Sequence, residues 1–181
     1  MNFDPSLLTS HDYFHYTGQD INTLNLNRRY TQIVKKFAIH TPNGLWLSIT
    51  GKNDWIHYYY KNIHLLETIK NEFQIFFKPS AKILILHNNS VFEDFLKEYS
   101  YYSEDETQAL LIRWENIIRK YQGIALPCIL PKLPNMGIWN KIWLCTSACI
   151  WDLQAIDKIE NLGDVNLSLH ACCSANHGEL L

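Results

Sequence analysis

Short β-prone segments open and close this chain, and helical ones fill its middle. That order restricts the fold more than any other feature. Asp12 to Thr17 is aromatic-rich and ends on Thr, so it reads as a strand; Leu45 to Ile49, released by the turn Pro42, Asn43 and Gly44, reads as a second. Between them Ile21, Leu24 and Tyr30 lie on a helical or turn face that Asn22, Asn25 and Asn27 weaken. Asn53 is expected to cap a helix with Asp54 in its first turn and Trp55, Tyr58, Tyr59 and Ile63 at helical spacing. Phe73 to Phe77 and Ile83 to Leu86 are strands on either side of a KPSA turn. Ser90 and Glu93 make a capping box for a helix through Phe92, Phe95, Leu96 and Tyr99. Leu110, Leu111, Trp114, Ile117, Ile118 and Tyr121 share one face, the clearest helical period in the chain. They predict a helix from Glu106 to Tyr121, closed by Gly123 as a C-cap. Ile124 to Leu126 is a short strand, Pro127, Pro131 and Pro134 mark a loop, and Trp139 to Leu144 and Ala148 to Trp151 are late strands. The pattern predicts an α+β domain on a mixed, mostly antiparallel sheet, not a doubly wound one.

A chain of 181 residues is one domain by size and buries about two thirds of its unfolded surface. Hydrophobic residues at 47% and charged residues at 19% argue against disorder, with Gly163 to Leu181 expected as a flexible tail. Six Trp and ten Tyr supply core and also flat surfaces on which a ring can stack. With 16 basic and 18 acidic residues the net charge is -2, and the densest basic pairs are Arg28-Arg29 and Lys35-Lys36. Strong nucleic-acid binding is therefore not expected. Asp4 and Pro5 interrupt any leader-like run, and no stretch approaches the roughly 18 to 20 apolar residues of a membrane span. Five cysteines, an odd number, fit reduced thiols in a cytosol, or export without a classical signal. Walker, GxGxxG, HExxH and GxSxG motifs are absent from the sequence, which disfavours the folds they mark.

Three stretches in order carry a resemblance: HYTG on the first strand, GLWLS on the second, and DWIHYYY on the following helix. Together they resemble the ADP-ribosyltransferase family over about the first sixty residues. The resemblance implies a split sheet with NAD bound as substrate between its halves. His15 would hydrogen-bond the adenosine-side ribose, and the main chain around Tyr16 would hold the nicotinamide amide. Thr17 would close the strand end, Ser48 would support the second strand, and Tyr58 or Tyr59 would stack on the nicotinamide. The reaction implied is loss of nicotinamide through an oxocarbenium-like state, with ADP-ribose passed to a protein acceptor, or to water in a glycohydrolase. Many chains of this family act as toxins or effectors. The family also places a glutamate on a late strand, and here the late segments GIALP and KIWLC carry no acid. Asp152, just after CIW, is the best-placed carboxylate, with Glu115 and Glu160 as further options.

A second reading is a noncatalytic interaction protein. Cys145 and Cys149 at a C-x3-C spacing, with His170, Cys172, Cys173 and His177, are numerous enough for a tetrahedral zinc staple. Free cysteines are equally well explained as small core residues.

Overall fold

The computed structural model describes residues 6–18, 21, 24–32, 42–51, 53–62, 69–103, 110–129 and 143–165. In chain order these form α1 (Ser6–Thr9), β1 (Tyr13–Thr17), β2 (Leu45–Ile49), α2 (Trp55–Lys61), β3 (Asn71–Phe77), β4 (Ile83–Ile85) and α3 (Asn89–Tyr99). There follow β5 (Ser100–Tyr102), β6 (Leu110–Ile112), α4 (Trp114–Ile117), β7 (Gly123–Leu126), β8 (Ser147–Ile150), a 3-10 turn at Leu153–Ala155, and β9 (Ile156–Asp164). Seven strands make one sheet in the order β4-β7-β8-β2-β1-β3-β9, while β5 and β6 pair apart from it. β4 and β7 run parallel. The remaining neighbours in that sheet are antiparallel. The fold is thus mixed α+β on a mostly antiparallel sheet, in line with the order of segments.

Side chains alternate across a strand, and here both faces are buried. Leu45, Leu47, Ile49, Ile83, Ile85, Ala125, Ala148 and Ile150 point one way, into a cluster they share with Tyr13, Phe73, Ile75 and Ile156 from the β1-β3-β9 side. Their neighbours Leu84, Leu86, Ile124, Leu126, Cys149 and Trp151 point the other way, under Phe92, Phe95 and Tyr99 of α3 and Trp114 and Ile117 of α4. Two-sided burial explains why these strands read as continuous apolar runs. On the outer face of β1, Tyr16 packs with Ile56 of α2 and Ile69, flanked by Phe14, Trp55 and Tyr59.

Several expected boundaries move. The helix expected over Glu106 to Tyr121 is a strand and a single turn of helix: Leu110, Leu111 and Ile112 pair with Tyr102, Tyr101 and Ser100. Residues 104–109 lie outside the described residues. Arg113 breaks the period. Its N–H donates to Tyr99 O at 2.8 Å, its guanidinium donates to Ser100 O and stacks over Tyr101. Tertiary pairing overrides the local propensity there. Gly123 is not a helix cap but the first residue of β7. Its missing side chain matters because a Cβ would lie 2.9 Å from Cys149 O. α2 is capped by Asp54 rather than Asn53, and α3 by Asn88, whose side chain accepts from Val91 N at 2.9 Å, rather than by Ser90. Trp143 and Leu144 are not in a strand, and the rest of the strand expected from Trp139 lies outside the described residues. Gly163 and Asp164 belong to β9 rather than to a flexible tail. The ladder skips Leu162 as Glu72 meets Gly163 and Phe73 meets Asn161, a bulge that Gly163 accommodates with φ +89°.

Candidate functional site

Among the described residues, the joint between β1 and β2 has the fewest register pairs in the main sheet. These strands share the register pairs Tyr13 with Ile49 and Phe14 with Ser48. β1 continues for five partners along β3, from Tyr13 to Thr17. Beyond Phe14 the ring of His15 takes over from the backbone ladder, with Nδ1 2.8 Å from Trp46 O. A carbonyl can only accept, so Nδ1 carries the proton and Nε2 is left as an acceptor without a protein partner among the described residues. Burial lowers the His15 pKa, only partly offset by the bond to Trp46. The ring is therefore neutral near pH 7.

The pleat divides the residues that the sequence nominated. His15 lies opposite Phe73, and so shares the inner face with Tyr13. Tyr16 and Ser48 are on the outer face, with α2. Ser48 is buried, and its Oγ accepts from Trp55 N at 3.0 Å, so it supports the first turn of α2. Tyr59 packs into the Tyr16 cluster, 6.4 Å from the Trp55 ring, while Tyr58 lies tilted against Tyr59 at 6.2 Å and outside that cluster. Thr17 ends β1, and its carbonyl accepts from Lys70 N at 3.2 Å.

Asp152 is elsewhere. It follows Ile150, at the end of β8 away from the Ser147–Ser48 pair. Its Oδ2 takes two bonds from Arg29, at 3.2 and 2.5 Å, and its Oδ1 accepts from Gln154 N at the head of the 3-10 turn. The cavity that Asp152 lines includes none of His15, Ser48, Tyr58 or Tyr59. Glu115 is exposed on α4, and Glu160 of β9 pairs with Lys158.

Two groups on the outer face were not anticipated. Glu72 is buried on β3, directly across from Tyr16, whose hydroxyl donates to its Oε1 at 3.3 Å. Burial, then the charges of Glu72 and Asp54, hold the Tyr16 hydroxyl protonated. Asp54 accepts from His57 N at 3.0 Å and from Gly51 N at 3.4 Å, and its Oδ1 also lies 2.7 Å from His57 Nδ1. A carboxylate so placed orients the imidazole as well as capping the helix. Alternation within NEFQIFF puts Glu72 on the face opposite Phe73, but its burial depends on the register with Tyr16, which no local pattern displays.

Thiol chemistry is muted at the three described cysteines, Cys128, Cys145 and Cys149. Burial, then the nearby Asp54 charge, pushes the Cys145 thiol up to about 12. Burial raises the thiols of Cys149 and Cys128 too. Thiols in this state are poor nucleophiles. Among the described residues there is no cluster of three His, Cys, Asp or Glu side chains that could hold a metal ion. His170, Cys172, Cys173 and His177 lie outside the described residues. No described helix is long and apolar enough to cross a membrane. Comparison with protein-family models, curated proteins and solved structures found no match.

Proposed function

We propose that this chain is an ADP-ribosyltransferase-like protein that binds NAD as a substrate where β1 and β2 part, and passes ADP-ribose to a protein acceptor. The observation that carries the reading is the neutral His15 ring at that parting, its Nδ1 fixed by Trp46 O and its Nε2 without a partner among the described residues. A ribose hydroxyl is the kind of donor Nε2 accepts. A ligand lying in the opening between two strand edges reaches both faces of the sheet. It would meet His15 and Thr17 from one side, and the Tyr16 main chain and the Tyr58 ring from the other. In the reaction the bond from ribose to nicotinamide breaks, and nicotinamide leaves with the electron pair. An acceptor nucleophile then adds to the ribose carbon and gives up its proton. With Asp152 engaged by Arg29, Glu72 is the carboxylate we assign to the developing positive charge, its Oε1 held by Tyr16. Water in place of the acceptor would make the protein an NAD glycohydrolase.

One observation favours a noncatalytic reading: β8, the late strand beside β2, is Ser147–Ala148–Cys149–Ile150 and has no acid. Nicotinamide release from NAD, measured together with the NAD-dependent rise in Tm, separates the two readings. Release that falls about a hundredfold or more in both His15→Asn and Glu72→Gln, with Asp152→Asn near wild type, supports the site. Asn keeps a donor for Trp46 O and loses the Nε2 acceptor. A Tm rise without release marks an NAD binder without turnover. With neither signal the interaction-protein reading stands, and metal analysis of chelator-free protein then tests its zinc staple.

A further inference from the structure

Beyond NAD chemistry, the far end of β8 holds a cavity of about 760 Å³ whose lining is strongly basic. Arg29, Lys78, Lys82, Arg119 and Lys120 face it, against a single carboxylate, Asp152, which Arg29 already occupies. This gathers five of the chain's 16 basic residues in one concavity of a protein with net charge -2. Lys120 is engaged by Glu98 at 2.7 Å. Lys78, Lys82 and Arg119 are exposed, and their side chains have no hydrogen-bond or ion-pair partner among the described residues. Their positive charges add up over the cavity and favour an anion there, the more so at low ionic strength.

The floor is built. Gln122 donates its N–H to Lys82 O at 2.7 Å, and its side chain accepts from Lys82 N at 3.0 Å. The Gln122 carbonyl accepts from both Trp151 N and Asp152 N, at 3.0 and 3.1 Å. Tyr30 N donates to Trp151 O at 2.7 Å, which ties an aromatic side chain of the lining to the same strand end. The volume falls in the range of small-molecule sites, about 300 to 1,000 Å³. Partly buried Tyr30 and Tyr121 add ring surface to the cationic lining.

We infer that this cavity is a second site, for a compact phosphorylated ligand of the nucleoside diphosphate class. The phosphates lie against Lys78, Lys82 and Arg119, and the base lies against the tyrosine wall. Calorimetric titration of the 181-residue chain with ADP, pyrophosphate and adenosine at low and moderate salt tests it. The comparison is with Lys82→Gln/Arg119→Gln and with His15→Asn. Both changes in the double variant are on exposed side chains, so folding is retained, which circular dichroism checks. The expected result is that ADP binds more tightly than pyrophosphate, while adenosine alone binds far more weakly. ADP affinity should fall about tenfold or more in the double variant, weaken with salt, and be unchanged in His15→Asn. Loss of ADP binding in His15→Asn with retention in the double variant would place the nucleotide at the β1–β2 opening and overturn the inference. So would the absence of any ADP or pyrophosphate heat. Poly-glutamate binding as tightly as ADP, with the same loss in the double variant, would make the cavity a docking face for acidic protein and equally overturn the ligand class.

Discussion

His15 is where the chemistry of one side chain has the widest reach. Its pKa is lowered in the folded protein, first by burial, from the 6.5 it has when solvated. The unfolded chain therefore binds the proton more readily than the native one, and acid favours unfolding. His15 costs no stability above about pH 6.5, and its destabilising contribution grows as pH falls through 6.5 and on through the lowered native value. Thermal melts of wild type and His15→Asn across pH 4.5 to 8 should converge at the alkaline end, apart from a constant offset, with the wild type falling more steeply in acid. NAD affinity should drop over the same range if Nε2 is a ribose acceptor, because a protonated ring has no lone pair to offer. Asp152 makes the contrasting case. Asp152→Asn keeps an acceptor for Gln154 N but turns the buried Oδ2 acceptor into a donor facing Arg29, whose side chain is 74% exposed and free to turn to water, so about 1 kcal/mol should be lost in urea melts. Asp152→Ala also removes the cap, and should cost about 1–2 kcal/mol. Of the site residues, the sequence exposed His15, because a histidine among strand aromatics stands out. It concealed Glu72, whose burial goes with a partner 56 positions away, Tyr16.

At the level of elements, close backbone approach decides a position that looks like an ordinary turn glycine. A Cβ on Gly44 would lie 2.5 Å from Ile150 O and 2.8 Å from Cys149 Sγ, at the entry of β2 beside β8. The contact with Ile150 O cannot be relieved by swinging a flexible side chain, because that atom is backbone. Gly44→Ala should therefore lower stability by about 1–3 kcal/mol, read as a lower urea midpoint with an unchanged slope. A midpoint equal to that of wild type would show that β2 can shift away from β8 at no cost. Boundaries were legible where turn chemistry and strand composition agreed, as at Pro42–Asn43–Gly44 before Leu45–Ile49. They were not legible at Leu110–Tyr121, where a well-formed helical period is cut by the pairing of Leu110–Ile112 with Ser100–Tyr102. Apolar residues at helical spacing are still consistent with a strand followed by one helical turn, since both bury Ile112, Trp114 and Ile117 in the same cluster.

The whole molecule depends on how two strand groups are joined. β4-β7-β8-β2 and β1-β3-β9 meet along β1–β2, where the ladder gives way to the His15–Trp46 contact, with Thr50 N and Oγ1 both donating to Asp12 O just past its other end. Backbone pairing there is slight, so the groups should be held together mainly by their common core. Phe73 and Ile75 on one side and Leu47, Ile83 and Ile150 on the other belong to a single buried cluster. If that cluster is the joint, the two groups unfold as one unit. Native-state hydrogen exchange should then give the slowest amides of β3 and of β8 the same opening free energy. Phe73→Ala, which removes a fully buried ring from the shared cluster, should lower both by the same amount, about 3–5 kcal/mol. Unequal losses, with β8 amides retaining wild-type protection, would mean that β1-β3-β9 opens by itself. The β1–β2 parting would then be a hinge, and the two strands would separate at His15 without unfolding the rest.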